Sequence, residues 1–326
     1  MKDKKKARWV IVVVWIIAAV LTAWIGGDIA YSTLTKHRFL EWEKSVERDG
    51  DGLRLGARAF TVGHGDTALL MVHGFGDSPA VFRHLAPALA ERGYACRAMR
   101  LPGFGEPMAA YGRVTDDQWM EAIESELEAL RSEHARVWVV AHSLGAAITL
   151  RHILSGQDHV DGLVLLAPLI RVSGRRSPLL PPATWYAVTR NMLTYEYVES
   201  VFPMDVRRVD LPDYPRDRFV PRNVYDAMFE TLSAIAGRAA DVRQPLLMML
   251  AGDDPVIDTP TAEAFFKAAG SDTKRVVLLE DVGHAFPVDR GWERVVEEID
   301  AFVLTARGAG GYNEVHDRAG EEPSTH

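Results

Sequence analysis

The feature that most constrains the fold is a strand, a sharp turn and a helix in immediate succession. The apolar run 137–141 predicts a buried strand, and residues 146–154 predict a helix. Ser143 lies at the turn between them, flanked by small residues. Such a turn lifts a serine hydroxyl clear of a sheet, and the helix that follows points unpaired N–H groups at the same spot. The alternative is that Ser143 is an ordinary helix N-cap, so the rest of the chain has to decide.

Short, wholly apolar runs recur along the chain and alternate with helical patterns. They predict strands at about 67–72, 94–99, 137–141, 162–167, 246–251 and 275–279. Strands that are apolar throughout are typical of a parallel sheet that helices cover on both faces. The predicted fold class is therefore α/β with a mostly parallel sheet. Ligands bind such sheets at the carboxyl ends of the strands, and Ser143 follows one of them.

One segment, from about residue 170 to residue 242, interrupts the alternation and is rich in proline, arginine and aromatic residues. A structureless loop of about seventy residues is uncommon in a compact domain. We therefore predict a small, mainly helical cap that is inserted over the active edge of the sheet. We expect its aromatic side chains to form the core of the cap, with a ligand-binding lid as the alternative.

The N-terminus follows a different pattern from the α/β body. Residues 1–8 are strongly basic, and between Trp9 and Ile25 the only polar residue is Thr22. A helix over this apolar run is about 25 Å long, which is within the accepted range for crossing a bilayer. We predict that residues 9–27 are an uncleaved transmembrane signal anchor, and a cleaved signal peptide is the alternative. The positive-inside rule then places residues 1–8 in the cytoplasm and the body on the outer, extracytoplasmic side.

Composition defines the remaining regions and excludes some partners. Residues 28–51 are predicted to be a stalk or linker, residues 52–306 the α/β domain, and the polar residues 307–326 a disordered tail. The net charge is −8, and the body without its basic start is more acidic still, so a nucleic-acid partner is excluded. The chain has one cysteine and no metal or nucleotide motif, and we predict no metal and no cofactor.

Two further residues fit a catalytic role beside Ser143. A serine hydroxyl is a poor nucleophile without an adjacent base, and His284 lies in the loop after the last predicted strand. A carboxylate is needed to hold that imidazole in the right tautomer, and Asp254 follows the preceding strand. Asp253 is the alternative acid. The chain order Ser, Asp, His is that of the α/β-hydrolases.

Three other polar residues near these motifs are interpreted as structural. His142 is expected to pack against the turn, His73 to support the loop that contains it, and Asp281 to be a solvated turn residue. None of them is predicted to be catalytic.

Residues from about Ala68 to Leu304 resemble the α/β-hydrolase superfamily, and within it the bacterial carboxylesterase and monoacylglycerol lipase group, also called serine aminopeptidase-like. The motifs that carry the resemblance are His73-Gly74-Phe75-Gly76, Arg92-Gly93-Tyr94, Leu101-Pro102-Gly103-Phe104-Gly105, Thr115-x-x-Gln118-Trp119, Ala141-His142-Ser143-Leu144-Gly145 and Gly283-His284. The resemblance implies that the backbone N–H groups of Phe75 and Leu144 form an oxyanion hole.

The chain departs from the family pattern at two places. Ala141 stands where the first glycine of the nucleophile turn is usual, and Asp254 lies two residues after Gly252 where three are usual. Alignment from the following Pro255 restores the match and favours Asp254 over Asp253.

The sequence therefore predicts a membrane-anchored serine hydrolase that cleaves carboxylic esters through an acyl-enzyme on Ser143. The anchor favours a small acyl ester, such as a monoacylglycerol or another acyl lipid, as substrate. The alternatives are a peptidase or acyltransferase of the same fold, or a non-catalytic scaffold at the membrane. The acidic residues of the insertion that leave the peptidase open are Asp205, Asp210, Asp213 and Asp217.

Overall fold

The structure is a computed structural model that describes residues 2–156, 159–177, 179–200, 215–289 and 291–316. Its strands are β1 (Phe60–Val62), β2 (Thr67–Val72), β3 (Ala95–Met99), β4 (Arg136–His142), β5 (Gly162–Leu166), β6 (Tyr197–Glu199), β7 (Phe219–Pro221), β8 (Leu246–Ala251) and β9 (Lys274–Leu279). Its α-helices are α1 (Lys2–Ser45), α2 (Leu85–Ala90), α3 (Met108–Tyr111), α4 (Asp116–Glu133), α5 (Leu144–Leu154), α6 (Pro182–Met192), α7 (Arg222–Ile235), α8 (Thr259–Ala268) and α9 (Trp292–His316). Short 3-10 helices lie at Pro79–Phe82, Gly174–Arg176 and Ala239–Asp241.

The centre of the molecule is a seven-stranded sheet with the order β1-β3-β2-β4-β5-β8-β9. Strand β1 pairs antiparallel with β3 at one edge, and the other neighbouring strands pair in parallel. Every residue of β2, β5 and β8 is buried, which is why these strands are apolar on both faces. Helix α2 packs on α9, and α4 and α5 pack together with α7. The predicted α/β class, with a mostly parallel sheet and helices on both faces, is confirmed.

The insertion between β5 and β8 contains α6 and α7, and it is mainly helical as predicted. It also contains a small antiparallel sheet of β6 and β7 that the sequence did not predict. Strands of three residues are too short to leave a periodic pattern, so their existence depends on the packing around them. Asp205, Asp210 and Asp213 fall in 201–214, outside the described residues.

Helix α1 is continuous through the predicted anchor and most of the predicted stalk, and it ends at Ser45. The side chains of its apolar stretch are exposed, from Trp9 at 70% to Ile25 at 56%. Within the described part of the chain, α1 is the one helix that is long and apolar enough to cross a membrane. Its second half (residues 28–45) behaves differently, because Thr35 and Phe39 are buried and Phe39 packs on Tyr197 and Phe219 of the insertion.

Helix α9 is longer than the sequence indicates. The helix was expected to end near residue 304, with a disordered tail over 307–326, whereas α9 continues to His316. Once the packed turns of a helix exist, each further residue adds one hydrogen bond without a new nucleus, so a helix can extend past its buried face. The rest of the predicted tail, 317–326, lies outside the described residues.

Candidate active site

Ser143 lies in a strained turn between β4 and α5. Its φ is 53° and its ψ is −116°, a conformation that non-glycine residues rarely adopt. Its amide N–H donates to the Leu166 carbonyl at 3.0 Å, which ties the turn to β5. The side chain makes no capping hydrogen bond to α5, so Ser143 does not act as an N-cap. The turn instead places the Ser143 hydroxyl above the carboxyl ends of the strands.

The two small residues that flank this turn, Ala141 and Gly145, are small for different reasons. A Cβ at Gly145 would lie 2.4 Å from the Val72 carbonyl oxygen, so any side chain there would force α5 away from β2. Ala141 lies inside β4, where it pairs with Val72 on one side and Leu165 on the other. Its methyl group is fully buried within a regular strand. The departure from the family pattern at Ala141 therefore leaves the turn intact.

The structure brings Ser143, His284 and Asp254 into one hydrogen-bonded chain. The Nε2 atom of His284 lies 2.9 Å from the Ser143 Oγ, and its Nδ1 lies 2.7 Å from the Asp254 Oδ2. The other carboxylate oxygen of Asp254 accepts from the N–H groups of Val256 at 2.7 Å and Ile257 at 3.0 Å. The three side chains come from the loops that follow β4, β8 and β9, and all three are buried.

The electrostatics of this chain keep Asp254 ionised. Burial by itself raises the pKa of the Asp254 carboxyl. The positive charge of His284 and the hydrogen bonds from His284, Ile257 and Val256 oppose burial, and the net result is a lowered pKa. A charged carboxylate at this position fixes a proton on Nδ1 of His284 and leaves Nε2 free to accept the serine proton.

Asp253, the alternative acid, lies on the other side of the loop. Its side chain is 59% exposed and forms an ion pair with Arg175. The carboxylate of Asp254, by contrast, is fully buried behind His284. Geometry therefore brings only Asp254 of the two to the imidazole.

The loop after β2 approaches the serine closely. A Cβ at Gly74 would lie 3.0 Å from the Ser143 Cβ and 3.2 Å from the His142 Nδ1, so any larger residue there would push the loop or the serine turn by a few tenths of an ångström. Within the described residues, no hydrogen-bond acceptor engages the backbone N–H of Phe75 or of Leu144. Both N–H groups therefore lack a protein acceptor, and their role as oxyanion donors stays a prediction from the family resemblance. The Phe75 ring packs edge-on against Tyr225 of α7 at 4.8 Å, which fixes the loop under the cap.

His73 and His142 are structural, as the sequence indicated. The Nδ1 of His73 lies 3.0 Å from the Gly74 carbonyl oxygen, and its Nε2 accepts from the Leu101 N–H at 3.1 Å. The Nε2 of His142 lies 3.0 Å from the His284 carbonyl oxygen and supports the loop that holds the base. Burial lowers the pKa of each of these imidazoles to about 3, so both stay neutral at physiological pH.

Sequence reasoning missed one residue that supports the site. Asp217, just before β7, donates its N–H to the Gly76 carbonyl at 2.9 Å and accepts from the Gly105 N–H at 3.2 Å. Its carboxylate lies 3.8 Å from the Arg54 guanidinium. Burial raises its pKa to about 7, although the Gly105 N–H and Arg54 act in the opposite direction. These partners are distant in sequence, so only the folded structure could reveal this role.

One cavity adjoins the serine, and a larger groove lies next to that cavity. The small cavity of about 180 Å³ lies directly over the serine, under a mainly apolar lining. Its lining includes Phe75, Leu169, Val172, Val220, Tyr225 and Met228. A larger groove of about 640 Å³ runs between the cap and the body and shares Val172 with the small cavity. Apolar walls with a few polar groups are typical of sites for small organic ligands. Among the described residues, no group of three or more His, Cys, Asp or Glu side chains is placed to hold a metal ion.

The strained serine turn at the carboxyl edge of a parallel sheet, with an imidazole and a carboxylate in line, defines the class as a serine hydrolase of the α/β-hydrolase fold. The model of the serine aminopeptidase S33 family matches residues 63–291, and the chain belongs to this family.

Individual relatives agree with this assignment. The chain is 22% identical over 247 residues to a carboxylesterase of Bacillus subtilis, a match that covers 76% of the chain and 96% of the relative. It is 22% identical over 242 residues to a thermostable monoacylglycerol lipase of a Bacillus species, covering 74% and 92%. Among solved structures, the fold matches metagenome-derived lipolytic enzymes with a TM-score of 0.69 and 21% identity, covering 77% of this chain and 98% of that one. It also matches the monoacylglycerol lipase of Paleococcus ferrophilus with a TM-score of 0.65 and 17% identity, covering 76% and 98%.

The chain is therefore an enzyme of the esterase and lipase type within the α/β-hydrolases, as the sequence predicted.

Proposed function

We propose that the protein is a membrane-anchored serine hydrolase that cleaves carboxylic esters of acyl lipids. The observation that carries this proposal is the hydrogen-bonded chain from Ser143 through His284 to Asp254. It lies beside two free backbone N–H groups, those of Phe75 and Leu144, and beneath an apolar cavity.

The proposed reaction begins with attack of the Ser143 Oγ on the ester carbonyl carbon. As the new C–O bond forms, the hydroxyl proton passes to Nε2 of His284, and Asp254 stabilises the resulting imidazolium. The carbonyl oxygen becomes an oxyanion that accepts hydrogen bonds from the N–H groups of Phe75 and Leu144. The intermediate collapses, and the leaving alcohol takes the proton from His284 Nε2. Water then gives a proton to the same nitrogen and attacks the acyl carbon. The new intermediate collapses to the carboxylic acid, and the departing Ser143 Oγ takes the proton back from His284 Nε2, which restores the free enzyme.

The class of substrate is inferred from the surroundings of the serine. The 180 Å³ cavity is too small for a whole lipid, but it opens next to the 640 Å³ groove, whose walls are largely aliphatic and aromatic. An acyl chain fits such walls, because burial of each CH₂ group contributes about 0.8 kcal/mol. The names of the relatives, a carboxylesterase and a monoacylglycerol lipase, support an ester over an amide. An acidic patch in the insertion would support the peptidase alternative, but Asp217, the one of its four acidic residues that the structure describes, is buried.

The membrane anchor is inferred from α1. Its apolar stretch remains exposed in the folded chain, which would be unfavourable in water and is favourable in lipid. We propose that residues 9–27 span the membrane, that residues 1–8 lie in the cytoplasm, and that the catalytic domain over 52–306 is extracytoplasmic.

Hydrolysis of p-nitrophenyl butyrate by the full chain in detergent tests the assignment of Ser143. We expect Ser143→Ala to lower kcat by at least about 10,000-fold, as loss of the nucleophile does in other serine hydrolases. Ser132→Ala, on the exposed side of α4, is the matched control and should keep the wild-type rate. Equal turnover by wild type and Ser143→Ala would refute the proposal. A fluorophosphonate adduct on Ser143 separates an enzyme from an inert scaffold, which would take no label.

A further inference from the structure

The second half of α1 is attached to the cap by a ladder of contacts. Asp28 accepts hydrogen bonds from the Thr194 backbone N–H at 3.0 Å and from its hydroxyl at 2.7 Å. Farther along α1, Phe39 stacks on Tyr197 with 4.3 Å between ring centroids. Three more contacts lie alongside these, namely Tyr31 with Tyr195 at 6.2 Å, Lys36 with Glu196 at 3.4 Å and Arg38 with Glu199 at 3.0 Å. The segment 194–199 therefore runs beside α1, and Thr194 is the end nearest the apolar stretch.

This attachment sets the height of the cap relative to the apolar stretch of α1. Asp28 follows Ile25, the last apolar residue of the stretch, by three helical residues, or about 4.5 Å of rise. The lipid headgroup layer outside the hydrocarbon core is about 5–7 Å thick on each side of a bilayer. Thr194, held by Asp28, therefore lies at the level of the headgroups if the apolar stretch spans the core. Met192 precedes Thr194 by two residues, and such a segment spans at most about 7 Å.

Four apolar side chains of the cap are exposed on α6 and in the turn before it. Val188 and Met192 lie one turn apart on α6 and are 39% and 47% exposed. Leu179 and Leu180, just before α6, are 96% and 40% exposed. The same two leucines line the 640 Å³ groove that meets the serine cavity at Val172. Exposed apolar side chains at the mouth of an apolar groove mark an interaction surface.

We propose that α1 is a spacer of fixed length that holds this cap face, residues 179–192, in the interfacial layer of the bilayer, so that the enzyme takes its ester directly from that leaflet. The partner is the lipid surface itself. This inference rests on the proposed ester hydrolysis and on the proposed anchor, and it adds the route by which the substrate enters. An acyl chain then passes from the leaflet along the groove to Ser143 without crossing water.

Changing the length of the spacer tests the proposal in the full chain. Seven polar, helix-forming residues inserted between Gly27 and Asp28 lengthen α1 by about 10 Å and return the helix to nearly the same face after two turns. The matched control inserts the same seven residues between Asp3 and Lys4, on the other side of the apolar stretch. Each protein is reconstituted in phosphatidylcholine vesicles and assayed with 1-oleoylglycerol in the vesicles and with p-nitrophenyl butyrate in solution.

We expect the insertion before Asp28 to lower oleoylglycerol hydrolysis at least tenfold and to leave butyrate hydrolysis within twofold of wild type. The control insertion should change neither rate. An unchanged ratio of the two rates in the spacer variant would overturn the inference. The inference about the membrane route would also be overturned if wild type hydrolysed p-nitrophenyl butyrate but not 1-oleoylglycerol in the vesicles. In that case the proposed ester hydrolysis by Ser143 would still stand. Failure of the proposed function is a different outcome, in which butyrate hydrolysis does not depend on Ser143.

A second measurement locates the cap face directly. Cys96 is buried, and burial raises the pKa of its thiol to about 12. A thiol reagent therefore labels an introduced, exposed cysteine in preference to Cys96. A fluorophore on Met192→Cys should be quenched by brominated lipids in the vesicles. A fluorophore on Leu278→Cys is the control, because Leu278 is also 47% exposed but lies on the edge strand β9. Equal quenching of the two labels by the brominated lipids would contradict the proposal. A Met192 label that is quenched only by contact with a second copy of the chain would contradict it as well.

Discussion

Replacement of Asp254 by Asn should invert the tautomer of His284 and remove its function as a base. One oxygen of Asp254 accepts from the N–H groups of Val256 and Ile257, and the other accepts from the Nδ1–H of His284. An asparagine has one oxygen, and the two backbone donors hold it in the position of Oδ1. The amide NH₂ then faces His284 and can only donate, so Nδ1 has to become the acceptor. Nε2 carries the proton and can no longer accept one from Ser143.

The expected loss is large because the geometry otherwise stays the same. In serine proteases the equivalent change lowers kcat by about 10,000-fold through the wrong tautomer, which corresponds to about 5.5 kcal/mol in the barrier. We expect a similar loss here, together with a nearly unchanged KM for p-nitrophenyl butyrate, since Asp254 does not line the serine cavity. The assay is steady-state kinetics of the full chain in detergent.

Asp253→Asn is the matched control, because the two residues are adjacent and the substitution is identical. Asp253 is exposed and pairs with Arg175, so its replacement should change kcat by less than twofold. If Asp254→Asn kept more than a tenth of the wild-type kcat, the tautomer argument would be wrong. A loss in Asp253→Asn as large as that in Asp254→Asn would also refute it.

Two further substitutions test the loops around the serine. Gly74→Ala places a methyl group 3.0 Å from the Ser143 Cβ, so it should displace the N–H of Phe75. We expect kcat to fall by about 100-fold in steady-state kinetics, while circular dichroism shows that the fold is kept. A wild-type kcat in this variant would exclude the Phe75 N–H as an oxyanion donor. Asp217→Asn should change the pH dependence of stability, because the folded pKa of about 7 lies above the ordinary value of 3.8. The wild type then binds more protons folded than unfolded between these values, and it loses up to about 4 kcal/mol of stability relative to the variant as the pH rises from 4 to above 7. Thermal unfolding of both proteins across this pH range checks the sign of the difference in stability. If Tm plotted against pH gave parallel curves for the two proteins, the raised pKa of Asp217 would be wrong.

The elements that sequence predicted well are those whose signal is local. Strands β2, β5 and β8 are wholly or largely apolar because every residue in them is buried, and that pattern needs no partner to be recognised. The turn at Ser143 is equally local, since Gly145 has no room for a Cβ against Val72. Membership of the serine hydrolases therefore follows from the sequence, and the positions of Asp254 and His284 after neighbouring strands made their meeting at one edge predictable.

The features that sequence could not predict depend on contacts between distant segments. The short strands β6 and β7 exist because Phe39 of α1 covers Tyr197 and Phe219. Asp217 is one of several acidic residues in the insertion, and nothing local distinguishes it from its neighbours before the chain folds. The length of α9 was underestimated for another reason, since the polar composition after residue 306 indicates little burial but does not end a helix that is already formed.

These distant contacts join the proposed anchor to the active site in a continuous series. Phe39 of α1 packs on Phe219 with 5.8 Å between ring centroids, and Phe219 begins β7 two residues after Asp217. The N–H of Asp217 holds the carbonyl of Gly76, in the loop that carries the Phe75 N–H beside Ser143. Packed side chains and hydrogen bonds of this kind have definite positions, so a shift of α1 against the cap has to be absorbed either at Phe219 or at Gly76. Helix α1 is thus part of the core of the cap as well as its tether, and the proposed oxyanion loop lies only two contacts away from it.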